Sequence, residues 1–245
     1  MTWTMHHGDS LLWLPTLPAE SADILLTDPP YSSGGLHATT RKSGSVNKYV
    51  RTETQEKRQF PEFHGDTRDQ RSMLAWMTLW LAECHRILRP GGVALVFTDW
   101  RQLPLATDAY QAGGFTWRGT ISWNKTDAAR TSAPGYPRHQ CEYVLWGSKG
   151  PLPVRPPGTG LSISGCLTHP TERDREHPTG KPVALLLDLL KIGKPGGVVL
   201  DPFAGSGTSG AAALRSGCTF LGCEMSAEYH ERSCARLRAE EEGLE

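Results

Sequence analysis

Val198-Val199-Leu200-Asp201-Pro202-Phe203-Ala204-Gly205-Ser206-Gly207-Thr208 joins a short apolar run to a turn carrying two glycines, and a small-residue helix is expected from Ser209 to Ser216. Glycines at 205 and 207 let the backbone turn sharply and lie close to a ligand. A second run, Phe220-Leu221-Gly222-Cys223, ends in Glu224, an acid placed to accept two hydrogen bonds from a ribose diol. A lone G-x-G is weak evidence. Strand, G-x-G, helix, strand and terminal acid in that order describe a nucleotide-binding unit of an open α/β sheet. The turn lacks the Gly-Lys-Ser/Thr that holds the phosphates of ATP. Gly210 completes a G-x-G-x-x-G spacing, so a dinucleotide stays open as ligand, beside one with an amino-acid end, which Phe203 and Asp201 suit.

Toward the N-terminus, Ile24-Leu25-Leu26 reads as a buried strand that delivers Thr27-Asp28-Pro29-Pro30-Tyr31 to its carboxyl end, where open α/β sheets bind ligands. Neither proline has a backbone N–H and both hold φ near −65°, so the turn is stiff and offers carbonyls without a competing donor. Asp28 adds a charged acceptor and Tyr31 a stacking face. A planar molecule with an exocyclic amine, such as a nucleobase, matches that set. The plainer reading is an Asp-Pro-Pro turn that only closes a strand.

Composition narrows the partners. The chain has 245 residues, long for one domain but within range for one α/β unit with insertions. Lys plus Arg and Asp plus Glu are equal at 26 each, so any basic footprint must be local. Such a footprint occurs in the aperiodic stretch 32–63, where Arg41, Lys42, Lys48, Arg51, Lys57 and Arg58 are opposed only by Glu53 and Glu56. Directly after the Asp28 corner, this stretch reads as a lid or binding loop, or else as a solvated insertion. The six cysteines show no C-x-x-C pair, which points to reduced thiols, no metal and a cytoplasmic setting. His6, His7 and Asp9 stand where a signal peptide would be basic and then apolar, and no apolar run approaches the roughly 18 residues of a membrane span.

The remaining elements follow from periodicity. Residues 1–9 read as a strand with Asp9 past its end, then a brief helix stopped by Pro15 and Pro18. Asp66 is placed to cap a helix from Thr67 to Leu88, which Arg89-Pro90-Gly91-Gly92 ends. Val93 to Phe97 reads as a buried parallel strand, Leu103 to Ala112 as a helix, and Phe115 to Trp123 with Tyr143 to Trp146 as a hairpin at a sheet edge, joined by a loop bearing Lys125, Arg130 and Arg138. Residues 150–176, rich in proline and glycine, carry no expected regular element. Lys181-Pro182 opens an apolar helix, Val183 to Ile192.

Asp28-Pro29-Pro30-Tyr31, the 201–208 turn and His177-Pro178-Thr179-Gly180-Lys181-Pro182 together resemble the three signatures of the S-adenosylmethionine-dependent DNA amino-methyltransferases. Their order is similar to that of the β class, which methylates adenine N6 or cytosine N4. The resemblance runs from Gly8-Asp9 to Glu224, and the family usually carries glutamine where this chain has Gly180.

The resemblance implies a Rossmann-like α/β fold: a circularly permuted, mostly parallel sheet of seven strands with an antiparallel edge hairpin and helices on both faces. It implies one methyltransferase domain over 1–245, with the basic insertion at 32–63 and a short recognition segment at 150–176 that includes Arg155, Arg173 and Arg175. S-adenosylmethionine is then the cofactor. Phe203, Gly205 and Gly207 would border its methionine part, Glu224 its ribose and Asp9 its adenine, with Asp201 and Thr208 in the same turn. Thr179 and Lys181 would close over the methionine carboxylate. Asp28, Pro29, Pro30 and Tyr31 would hold the target amine after base flipping, and the six cations from Arg41 to Arg58 would meet phosphates of double-stranded DNA.

Serine is frequent at the Asp28 position in cytosine-N4 enzymes, so the resemblance favours adenine. It also allows a homodimer and a cognate restriction endonuclease as partners. A nicotinamide-dependent oxidoreductase and a catalytically silent nucleic-acid-binding relative remain the other readings of the residues.

Overall fold

In the computed structural model of the chain, residues 2–31, 68–128, 134–153, 163–171 and 180–243 are described. The strands are β1 Trp3–His7, β2 Ala22–Thr27, β3 Leu88–Thr98, β4 Thr116–Asn124, β5 Cys141–Ser148, β6 Cys166–Thr168, β7 Val198–Asp201 and β8 Thr219–Glu224. They form one sheet in the order β1-β8-β7-β2-β3-β5-β4-β6. Only β5 runs against the others, pairing antiparallel with β3 and β4. The strands nearest the C-terminus, β7 and β8, lie inside the sheet between β1 and β2, as a permuted order requires.

The sheet has eight strands rather than the expected seven. The extra strand, Cys166–Thr168, lies in the proline-rich stretch where no regular element was expected, and it pairs with β4 from Ser122↔Cys166 to Asn124↔Thr168. Trp123 Nε1 donates to His169 O at 2.8 Å and helps hold it. The antiparallel hairpin is therefore not the edge, because β6 covers β4.

Six helices flank the sheet among the described residues: α1 Ser10–Trp13, α2 Gln70–Ile87, α3 Leu103–Ala112, α4 Val183–Leu190, α5 Thr208–Arg215 and α6 Ala227–Glu242. Strand alternation sends side chains to opposite faces. Ile24, Leu26, Val93, Leu95 and Phe97 pack with Leu185, Leu186 and Leu189 of α4, Ala212 and Ala213 of α5, and Leu237 of α6. Leu25, Ala94 and Val96 pack on the other face with Trp13 of α1, Met77, Trp80 and Leu81 of α2, and Ala106 and Ala109 of α3. Every residue of β2 is buried, which explains why its centre, Ile24-Leu25-Leu26, is a continuous apolar run rather than an alternating one.

Several boundaries differ from expectation for local reasons. Asp69 caps α2, accepting from the backbone N–H groups of Arg71 and Ser72 at 3.0 Å, whereas Asp66 lies outside the described residues. Arg89-Pro90-Gly91-Gly92 does not separate helix from strand. It sits within β3 as an irregularity, with Ala22↔Leu88 and Ile24↔Val93 paired on either side. Helix α6 had no counterpart among the expected elements, since its one-face apolar content is small. Tyr229, Cys234 and Leu237 are its buried apolar anchors.

Gly147 shows how closely β4, β5 and α3 meet. A Cβ there would lie 2.2 Å from Thr116 O and 2.8 Å from Tyr110 Oη, and that hydroxyl already donates to Ala94 O at 2.9 Å. Gly147→Ala should therefore lower stability by about 1–3 kcal/mol, the usual cost of overpacking. Urea unfolding checks this: the midpoint should fall with the slope unchanged, and an unchanged midpoint would contradict the packing described.

Candidate active site

Adjacent parallel strands bring the two corners together. β2 pairs with β7 through Ile24↔Val199 and Leu25↔Leu200, so both end at the same edge. Beyond that register, Thr27 Oγ1 donates to Asp201 Oδ1 at 2.6 Å. Ser209 Oγ donates to the other oxygen at 2.5 Å, and Phe203 N donates to Oδ1 at 2.9 Å. Asp201 is buried at 3% exposure, and both of its oxygens are held by protein donors. It ties strand, turn and helix together.

The turn that follows is built as the glycines require. Gly205 and Gly207 take positive φ of 53° and 79°, in the left-handed region that other residues avoid. Gly207 precedes α5 directly. Gly205 N donates to Glu224 Oε2 at 2.9 Å and Ser226 N to Oε1 at 2.8 Å, so the acid at the tip of β8 is oriented by two backbone donors. The Met225 amide also hydrogen-bonds this carboxylate, which still leaves acceptor capacity for a ligand hydroxyl. Burial raises the Glu224 pKa, partly offset by those backbone donors.

Phe203 packs its ring against Trp76 and Trp80, with centroids 5.2 and 5.1 Å away. Thr208 accepts from Arg236 Nη1 at 3.1 Å. Asp9 caps α1, accepting from Leu11 N at 2.9 Å, and its neighbour Gly8 N donates to Glu224 O at 3.0 Å, which places the ends of β1 and β8 side by side. Gly210 is a packing glycine, since a Cβ would lie 2.6 Å from Leu237 Cδ2 and 2.8 Å from the Phe220 ring.

At the other corner, Asp28 stands in a cluster of buried charges. Tyr31 Oη donates to Asp28 Oδ1. Lys181 Nζ donates to Asp28 Oδ2 at 2.5 Å and lies 3.2 Å from Glu142 Oε2, while Lys125 Nζ pairs with Glu142 Oε1 at 3.1 Å. The Lys181 ammonium also lies 5.3 Å from the Tyr31 ring centroid and 5.2 Å from that of Phe97. Burial alone would lower the Lys181 pKa, but the two carboxylates outweigh it and hold it above the ordinary lysine value. Burial would likewise raise Glu142, yet Lys181 and Lys125 bring it below the usual value. Asp28 goes the other way. Burial raises it, Glu142 adds to the rise, and Lys181 offsets only part. Of the two acids, Asp28 is thus the readier proton acceptor, and 27% of its side-chain surface stays open.

Placement of the expected residues is mixed. Asp28, Pro29, Pro30, Tyr31, Asp201, Phe203, Gly205, Gly207, Thr208, Glu224 and Asp9 all belong to segments at the carboxyl ends of β1, β2, β7 and β8. Lys181, expected over a ligand carboxylate, is bound to Asp28. Thr179 and the cations Arg41, Lys42, Lys48, Arg51, Lys57 and Arg58 lie outside the described residues, as do Arg155, Arg173 and Arg175. Glu142 was not anticipated, and its only sequence signal is an acid beside the apolar run of β5. Thr27 and Ser209 were not anticipated as the donors that hold Asp201.

The family model described as "DNA methylase", covering N6 and N4 amino-methyltransferases, matches residues 22–235. The chain belongs to this DNA methylase family. The Escherichia coli (strain K12) protein named "Putative methylase YubD" is 30% identical over 239 residues, covering 97% of this chain and 91% of its own. Type II methyltransferase M2.DpnII of Streptococcus pneumoniae is 29% identical over 253 residues, covering 96% and 90%. Among solved structures, the M1.HpyAVI–SAM complex superposes with a TM-score of 0.67 at 22% identity, over 96% of this chain and 98% of that one. The cytosine-N4-specific PvuII DNA methyltransferase gives 0.69 at 18%, over 96% and 86%. For a DNA methylase, the strand-acid unit at the C-terminus needs no nicotinamide, which sets aside the oxidoreductase reading.

One property of this DNA methylase site is readable in stability. Burial, only partly offset by its three donors, lifts Asp201 from 3.8 to about 6. The folded state therefore favours the protonated acid. Its contribution is complete below about pH 4 and is lost as pH rises to about 6, a change of about 3 kcal/mol. Urea unfolding of wild type and Asp201→Asn from pH 4 to 7 should show the difference between them falling by that amount across this window. A difference independent of pH would contradict it.

Proposed function

We propose that this DNA methylase transfers a methyl group from S-adenosylmethionine to the exocyclic N6 of adenine in double-stranded DNA, with the base flipped into the cleft at Asp28. The observation that carries the reading is the shared edge of β2 and β7, which sets an amine-accepting corner beside a glycine turn with a diol-accepting acid. The donor set fits the cofactor. Phe203, Gly205 and Gly207 would border its methionine portion, Glu224 would accept its ribose hydroxyls, and Asp9 would lie toward its adenine, with Thr208 and Thr179 adjoining. Asp201 would serve by holding the turn. S-adenosylmethionine, when bound, supplies a methyl group activated by its sulfonium.

The chain's own residues do the rest. An adenine amine is a weak nucleophile because its lone pair is delocalised into the ring. Asp28 and the Pro29 carbonyl would accept its two N–H groups and turn the lone pair out of the ring plane, with Tyr31 stacked on the base. Positioning of this kind supplies much of an enzyme's acceleration. As the N–C bond forms, positive charge grows on nitrogen, and the Asp28 carboxylate stabilises it and takes the departing proton. Lys181 bridges Asp28 and Glu142, so Glu142 keeps the ammonium neutralised when Asp28 turns to the amine. The basic residues Arg41 to Arg58 would contact phosphates, and 150–176 would read bases. The type II relatives make a cognate endonuclease the partner class to seek.

Incubating the protein with labelled S-adenosylmethionine and DNA, then hydrolysing to nucleosides, tests the target. N6-methyladenine is expected. N4-methylcytosine would favour the runner-up, which uses the same machinery, and no labelled base would contradict both.

Asp28→Ala should lower single-turnover transfer by about 10²–10³-fold, with cofactor affinity by calorimetry within about threefold; near wild-type transfer would remove Asp28 from the mechanism. Lys181→Met should move the acid limb of the kcat/KM profile to higher pH, because the cation that lowers the Asp28 pKa is gone. An unmoved limb would assign Lys181 to structure alone.

A further inference from the structure

Beside the Asp28 corner, β3 ends at Thr98 and the chain turns through Asp99 to present Trp100 at 47% exposure, whereas Trp13, Trp76, Trp80 and Trp123 are buried. The turn is braced: Asp99 Oδ1 accepts from Arg101 N and Gln102 N at 3.0 Å each. Because β5 runs antiparallel to β3, with Thr98↔Tyr143 paired, its leading segment arrives at this same edge. That segment lays the His139 ring against the Trp100 indole, with centroids 5.0 Å apart and planes within 17°. The Arg101 guanidinium lies 5.6 Å from the Trp100 ring centroid. The pair flanks the cleft, since β3 adjoins β2 through Thr27↔Val96 and the Asp99 charge helps raise the Tyr31 phenol.

The charges here argue against a phosphate site. Arg101 is paired with Asp99 at 3.3 Å and Arg138 with Asp127 at 3.2 Å, so both cations are matched within the protein. What the rim offers is a flat apolar face, held in place by a second ring beneath it. Nucleobases stack on such faces whatever their identity, and extruding a base from a duplex leaves neighbours that have lost a stacking partner.

We propose that Trp100, backed by His139, is a stacking platform for an unpaired or unstacked nucleobase next to the target base. It rests on the DNA reading above and adds to it a contact outside the catalytic corner. Stacking neutralises no phosphate, so it has a signature of its own: it changes affinity without changing the salt slope.

The test uses the full chain and a duplex oligonucleotide containing the methylated site, with affinity measured by fluorescence anisotropy over a range of salt. Trp100→Ala should weaken binding about tenfold at every salt concentration with the slope of log K against log salt unchanged. Trp100→Phe should stay within about threefold of wild type, and both variants should keep the wild-type melting temperature and cofactor affinity. Wild-type affinity in Trp100→Ala would overturn the platform, as would a loss accompanied by a shallower slope, which would mark a phosphate contact. Failure of the wild-type protein itself to bind DNA would instead overturn the parent reading, and with it this one.

Discussion

A hydrogen bond of 2.6 Å from Thr27 to Asp201 joins the ends of two neighbouring parallel strands, and the geometry of the site depends on it. The two residues are 174 positions apart in the chain, yet each is the last residue of its strand. Asp201 also holds Ser209 at the start of α5 and the Phe203 amide in the turn. One buried carboxylate thereby fixes the angle at which the acid-diproline corner and the glycine turn face each other. Burying it raises its pKa to about 6. That energetic cost is tolerated because three protein donors satisfy both carboxylate oxygens.

The same edge collects charge from more distant elements. Lys181 comes from just before α4, Glu142 from near the start of β5, and Lys125 from just past the end of β4. Reversing β5 is what allows this, because its N-terminal end meets the C-terminal ends of β3 and β4. Two acids and two lysines then neutralise each other in a largely dry setting, where an unpaired charge would be costly. The arrangement leaves Asp28, rather than Glu142, with the raised pKa, since Glu142 has two lysines and Asp28 shares one.

Much of the architecture was legible in local pattern. β2 and β7 were marked by apolar runs ending in an acid, the turn by its paired glycines, and α3 by Gly113-Gly114 past its last residue. Helix α6 and strand β6 were not, for opposite reasons: α6 is mostly polar with few anchors, and β6 is three residues long with one buried side chain. The Arg89-Pro90-Gly91-Gly92 segment carried breaker residues but is accommodated as an irregularity where β3 enters the sheet.

Within the site, Glu224 stood out as the last residue of a strand and Asp28 as the acid just past one. Lys181 was noticed, but its contact with Asp28 was not, and Glu142 was missed. Both depend on which strands are adjacent, and adjacency across 153 residues is not encoded in spacing. A crystal structure with S-adenosylhomocysteine bound is the most direct test that these corners share one cleft. The ribose should lie on Glu224 and the sulfur should turn toward Asp28; a ligand bound with its sulfur facing away from Asp28, or at the opposite edge of the sheet, would contradict the shared cleft.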